Sequence, residues 1–145
     1  MDGWITIGTE LSTDKFDRQI NGLEKKMKKE EDKKIIIETK LASQEEDLER
    51  ARKKTDELAE AYQRLKTAQE AVESGKATAG QYTEFFGMQD AYGSLEQLEL
   101  SFDKALSKQD AIEQKVAQTK LQYQGVVEKV SEYQQKINSI NLQKQ

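Results

Sequence analysis

The chain has 145 residues, of which 35% are hydrophobic and 34% charged, with 23 basic against 27 acidic side chains and a net charge of -4. It contains no histidine, cysteine or proline, which excludes disulfides, the usual zinc sets and histidine-based triads, and removes the commonest helix breaker. Basic and acidic residues are well mixed, so no nucleic-acid or anionic-membrane surface is expected, and the longest clean apolar run, Ile35-Ile36-Ile37, is far too short to span a bilayer.

The start, Met1-Asp2-Gly3-Trp4, lacks the basic and apolar regions of a signal peptide. Residues 1–14 read as a short strand and turn. Ile5, Ile7, Thr9 and Leu11 alternate with Trp4, Thr6 and Gly8, the pattern of a short β-strand. A lone strand leaves its backbone groups unpaired. The chain offers only a weak partner in Ile140-Asn141-Leu142, so Trp4, Ile5 and Ile7 are expected to meet another copy or another chain. Ser12-Thr13-Asp14 then supplies helix-capping groups.

A long helix is predicted over 15–74, stopped by Gly75. Steps of four and three from Phe16 reach Ile20, Leu23, Met27, Glu30, Lys34, Ile37, Leu41, Gln44, Leu48, Ala51, Thr55, Leu58, Tyr62, Leu65, Gln69 and Val72. Twelve of these seventeen are apolar, and nearly every other position is polar. Spacing of 3.5 residues keeps one narrow stripe facing a partner helix, the pattern of a coiled-coil seam. It also argues against disorder, which has no reason to keep phase. Off the seam, Glu24 with Lys28, Glu46 with Arg50, Glu49 with Lys53 and Glu60 with Arg64 stand in the favourable i,i+4 order.

Residues 75–93 break the phase. Ser74-Gly75-Lys76-Ala77 reads as a turn, and Thr78 with Gln81 has capping-box spacing. A short helix over about 79–92 carries Tyr82, Phe85, Phe86, Met88 and Tyr92, the densest aromatic cluster in the chain. Its aromatics are read as the local core of a bend, with Phe85 and Phe86 as the alternative partner-docking knob. Ser94 and Gln97 form a second capping-box spacing, and a second heptad helix is predicted over 94–140, with 141–145 as a tail. Its seam is Leu95, Leu98, Phe102, Ala105, Gln109, Ile112, Val116, Thr119, Tyr123, Val126, Val130, Tyr133, Ile137 and Ile140.

Two heptad helices joined by about twenty residues fold back most simply as an antiparallel hairpin. The expected fold is therefore all-α: a long coiled-coil hairpin with a small helical connector and a short N-terminal strand. Placing Val72 level with Leu95 ends the pairing near Met27 and leaves Phe16 to Leu23 projecting. Glu30 and Lys34 on the seam either set register or mark where it opens. Glu24 to Lys34 is read as a solvated face, because Glu30, Glu31 and Asp32 offset its lysines and no aromatic is interleaved. Ile35, Ile36, Leu100 and Leu121 lie off the seam, either as scattered surface apolars or as a second contact stripe. Carboxylate pairs such as Glu45-Glu46 need a cleft to become catalytic, and a two-helix rod offers none. No enzyme and no cofactor are expected.

The chain resembles the N-terminal part of tail tape measure proteins of phages and prophages of Gram-positive bacteria. The resemblance rests on Ile5 to Ile20 (ITIGTELSTDKFDRQI), and on Ser74 to Thr78 (SGKAT) with Asp90 to Asp110 (DAYGSLEQLELSFDKALSKQD). It covers about a quarter of the residues. It implies a structural role in tail assembly and tail-length determination, and a place in the virion tail and, during assembly, in the host cytoplasm. The partners implied are other copies, tail tube or baseplate proteins, and assembly chaperones. Such proteins run to many hundreds of residues, so this chain is expected to be an N-terminal piece. A hairpin spans half its contour length, which suits an end-anchoring segment better than the extended ruler. Two other classes remain open: a coiled-coil adaptor or spacer, and a small secreted helical hairpin of the WXG type, for which Tyr92-Gly93 is a poor substitute for the Trp-x-Gly turn.

Overall fold

A computed structural model describes the backbone of residues 2–144 and the side chains of residues 14–144. The described residues are all-α and form three helices: α1 (Asp2–Glu73), α2 (Ala79–Tyr92) and α3 (Leu95–Lys144). No strand occurs among the described residues, and the bounds of α1 take in positions 4–11, where alternation predicts one. A helix pairs its own backbone groups, whereas a strand with no neighbour pairs none. The side chains of Trp4, Ile5 and Ile7 lie outside the described residues.

The chain folds as two compact units, one of Ser43–Val116 and one of Met1–Ala42 with Ala117–Gln145. In Ser43–Val116 all three helices meet. Leu58, Ala61 and Leu65 of α1 and Leu98 of α3 form the core, and Tyr62, Phe85, Met88, Leu95, Phe102 and Ala105 pack around it. Leu65 and Leu98 are fully buried. Leu58 and Leu65 are one heptad apart on α1, as are Leu98 and Ala105 on α3, so each helix brings one stripe to the contact. The stripe of α1 widens where α2 lies against it. Ala61 and Ala68, seven residues apart and both buried, are small enough to let α2 approach.

Local chemistry sets the ends of α2. Gly75 has φ 72° and closes α1 in the left-handed region, where a side chain costs strain. Thr78 accepts from the Gln81 amide at 3.2 Å, and the Gln81 side chain accepts from the Thr78 amide at 2.8 Å. This reciprocal capping box satisfies two otherwise orphaned donors. Ser94 and Gln97 repeat it at the start of α3, at 3.2 and 2.9 Å. Between them Gly93 takes φ 84° and ψ -153°, a region essentially confined to glycine.

In the second unit α1 and α3 pair antiparallel. Lys144 Nζ binds Asp17 Oδ1 at 2.6 Å and Tyr123 Oη donates to Glu38 Oε1 at 3.2 Å. Asp17 to Glu38 is three heptads, and so is Tyr123 to Lys144, so the two helices keep step. This corrects the expected register. The pairing does not stop near Met27 but runs to Asp17: α3 continues as helix through residues 141–144 rather than ending in a tail, and Lys144 meets Asp17 instead of Leu23, the residue that levelling Val72 with Leu95 would set opposite it.

Candidate interaction surfaces

Across both helices the heptad positions separate from their neighbours by exposure. All seventeen positions from Phe16 to Val72 are buried or half-buried, and so are all fourteen from Leu95 to Ile140. From Asp14 to Glu57 the only other sheltered residue of α1 is Asp17, and on α3 it is Glu113. Both are cross-helix ion-pair partners: Asp17 of Lys144, and Glu113 of Arg52 at 3.5 Å. The side chains flanking the stripe are thus half-covered by their own pairing.

Among the apolar stripe residues, Leu48, Leu58, Leu65, Leu98, Val116, Val126 and Ile137 are buried. Phe16, Ile20, Leu23, Met27, Ile37, Leu41, Val72, Leu95, Phe102, Ile112 and Val130 are half-buried. The polar members behave differently from one another. Thr55 is buried and returns its hydroxyl to the Ala51 carbonyl at 2.9 Å. Lys34 lies 5.9 Å from the centroid of the Tyr123 ring, its charge over an aromatic face. Glu30 is only 7% exposed; one carboxylate oxygen accepts from Lys33 at 3.3 Å and the other has no partner. It borders a small open notch with Lys33, Gln122, Gly125 and Lys129. Gln44 also buries an unpaired oxygen.

The connector places its aromatics on opposite sides. Phe85 and Met88 turn into the core, whereas Phe86 is 58% exposed and Tyr82 is exposed beside it. Phe85 and Phe86 touch edge to face, centroids 5.3 Å apart at 66°, so the half-buried ring braces the exposed one. Arg64 holds α2 to α1 through Glu84 at 2.9 Å. Ile35, Ile36, Leu100 and Leu121 are all exposed.

One surface had no signal in the heptad pattern. An open groove of about 980 Å³ lies between α1 and α3 within Ser43–Val116, next to the end of α2. Ala51, Ala105 and Ile112 lie along it, with Tyr92 at its α2 side. Its charged lining includes Arg50, Lys54, Lys104 and Lys108, with Asp47 the acidic member. Sequence reasoning missed it because these cations are far apart in the chain and each reads as an ordinary solvated position.

Among the described residues, no cluster of three or more His, Cys, Asp or Glu side chains could hold a metal ion, and no helix is long and apolar enough to cross a membrane. No family model, curated protein or solved structure matches this chain.

Proposed function

We propose that this protein is a structural, non-catalytic helical segment: the N-terminal coiled-coil part of a phage or prophage tail tape measure protein, acting in tail assembly and tail-length determination. The observation that carries the structural reading is the exposure pattern. Every heptad position from Phe16 to Val72 and from Leu95 to Ile140 is sheltered and almost every flanking position there is not, so the buried apolar surface of these stretches goes chiefly into pairing helices rather than into walling a cleft. The tape-measure assignment is supported by the likeness of Ile5 to Ile20 and of Asp90 to Asp110 to that family. The latter stretch holds the end of α2, the Gly93-Ser94 cap and the first turns of α3.

In this reading the chain is one antiparallel coiled-coil hairpin that works at an end of the tail, with other copies, tail tube or baseplate proteins, or assembly chaperones as partners. The alternating segment Trp4 to Leu11 takes strand form only when another chain supplies an edge. Light scattering with small-angle scattering tests the pairing: a hairpin built on the 72 residues of α1 gives particles on the order of 110 Å long, and a rod of about twice that length containing two or more chains overturns it. The assignment itself is tested in an inducible host by deleting four heptads from each helix, Ile37–Arg64 and Leu98–Gly125, and imaging the tails. An end-anchoring segment leaves tail length unchanged while fewer tails complete. Normal numbers of normal tails overturn the assignment.

A second reading, a coiled-coil adaptor, is favoured by the exposed Tyr82 and Phe86 on α2. Replacing both with serine abolishes partner binding in that reading and leaves tail assembly intact.

A further inference from the structure

The groove beside the end of α2 is a third-helix slot that continues past the helix occupying it. Along α1, Ala61 and Ala68 lie on one side of the stripe, seven residues apart, where α2 packs. One heptad earlier on that side stands Lys54, and the groove opens there. The slot therefore changes from small and covered to cationic and open at the level where α2 stops at Tyr92. From Asp47 to Leu58 on α1 it runs about 16 Å, and from Ser101 to Lys115 on α3 about 21 Å.

Apolar Ala51, Ala105 and Ile112 with cationic Arg50, Lys54, Lys104 and Lys108 fit an acidic, amphipathic segment. Arg50 is partly neutralised by Glu46 and Asp47, at 3.8 and 3.7 Å; of the four lysines that line the groove, the complementarity rests on Lys54, Lys104 and Lys108. The chain itself carries such a segment. Residues 1–14 contain Asp2, Glu10 and Asp14 and no lysine or arginine, in a protein with 23 basic residues. Trp4, Ile7 and Leu11 stand three and four residues apart, so in a helix they share one face. α1 is a single helix from Asp2 to Glu73, and an unbroken helix does not bend back onto its own later turns.

We propose that the groove binds the acidic N-terminal segment of a second copy of this chain, with Trp4, Ile7 and Leu11 on its apolar floor and the flanking Glu10 and Asp14 toward Lys54, Lys104 and Lys108. This interface stands independently of the tape-measure reading. It makes copies associate heterologously, so that association extends or closes a ring according to the rotation between copies.

Trp4 is the chain's only tryptophan, so its fluorescence reports the contact directly. On raising the full-length protein from nanomolar to hundreds of micromolar, tryptophan emission shifts to the blue as mass measured by light scattering increases. The triple change K54E/K104E/K108E, with helix content checked by circular dichroism, moves the midpoint at least tenfold higher. Adding E10K/D14K on the same chain restores it. A labelled peptide of residues 1–14 binds the parent protein and not the triple variant, an arm that does not depend on self-association. Emission that is already blue and independent of concentration, association untouched by charge reversal, or failure of the peptide to bind overturns the proposal.

Discussion

At the scale of single residues, burial of a leucine contrasts with burial of a carboxylate. Leu65 is fully buried between α1, α2 and α3. Leu65→Ala removes its apolar contacts and leaves a cavity that continuous helices cannot collapse to fill, costing about 2–5 kcal/mol in urea unfolding. Glu30 sits on the same heptad stripe with one oxygen unpaired, and Lys33, which holds the other, is largely in solvent. A buried charge supported this weakly loses more to desolvation than it recovers. Glu30→Leu is therefore expected to raise the thermal midpoint, by a stability gain on the order of 1 kcal/mol, whereas Leu23→Glu lowers it. A fall in midpoint for Glu30→Leu would mean that Glu30 supports the pairing through contacts its burial does not reveal. The heptad pattern located Glu30 on the stripe because spacing alone assigns the face; whether the carboxylate finds a partner there depends on α3, which spacing does not describe.

At the scale of elements, α2 is held by its ends as much as by its packing. It is 14 residues long and none of them is buried, too short to be stable alone. Both capping boxes were readable from the Thr-x-x-Gln and Ser-x-x-Gln spacings, because a cap is a local contact between residues three apart. Thr78→Ala removes one of them and should cost about 1 kcal/mol, read as a lower urea midpoint with unchanged cooperativity. Gly93→Ala should cost more, about 1–3 kcal/mol. Its φ of 84° admits few side chains, and a new Cβ would collide with the Gln97 side chain that caps α3. Gln97→Ala in the Gly93→Ala background separates the two causes: recovery of part of the loss assigns that part to the collision. The extent of α3 was less legible. No glycine or proline marks its end, and the Lys144 to Asp17 ion pair that accompanies its last turn is a contact 127 positions apart in the chain.

At the scale of the whole molecule, the two units are built from the same two helices but do not share the core equally. All-α architecture and the order of three helices follow from composition, heptad phase and two glycine stops, all of which are local or periodic. The division into units is not periodic: the stripe continues in both, and what differs is whether a third helix covers it. Among the described residues, Leu48, Leu58, Ala61, Leu65, Ala68, Leu98 and Val116 are the buried apolar side chains of Ser43–Val116, whereas Met1–Ala42 with Ala117–Gln145 has only Val126 and Ile137. Two paired helices shelter one narrow face each, so their other faces remain open to solvent, and buried apolar area is the main source of protection against local opening. Amide hydrogen exchange should therefore separate the units. Backbone amides of 55–68 and 98–105 should exchange slowest, while those of 16–34 and 123–140 exchange at least tenfold faster, corresponding to about 1.4 kcal/mol less opening free energy. Filling the sparse unit should narrow that gap: Glu30→Leu is expected to slow exchange across 23–37 and 122–133 and to leave 55–68 unchanged. Equal protection throughout α1 would mean that a helix of this length opens as one cooperative body, and that α2 adds nothing beyond the segment it touches.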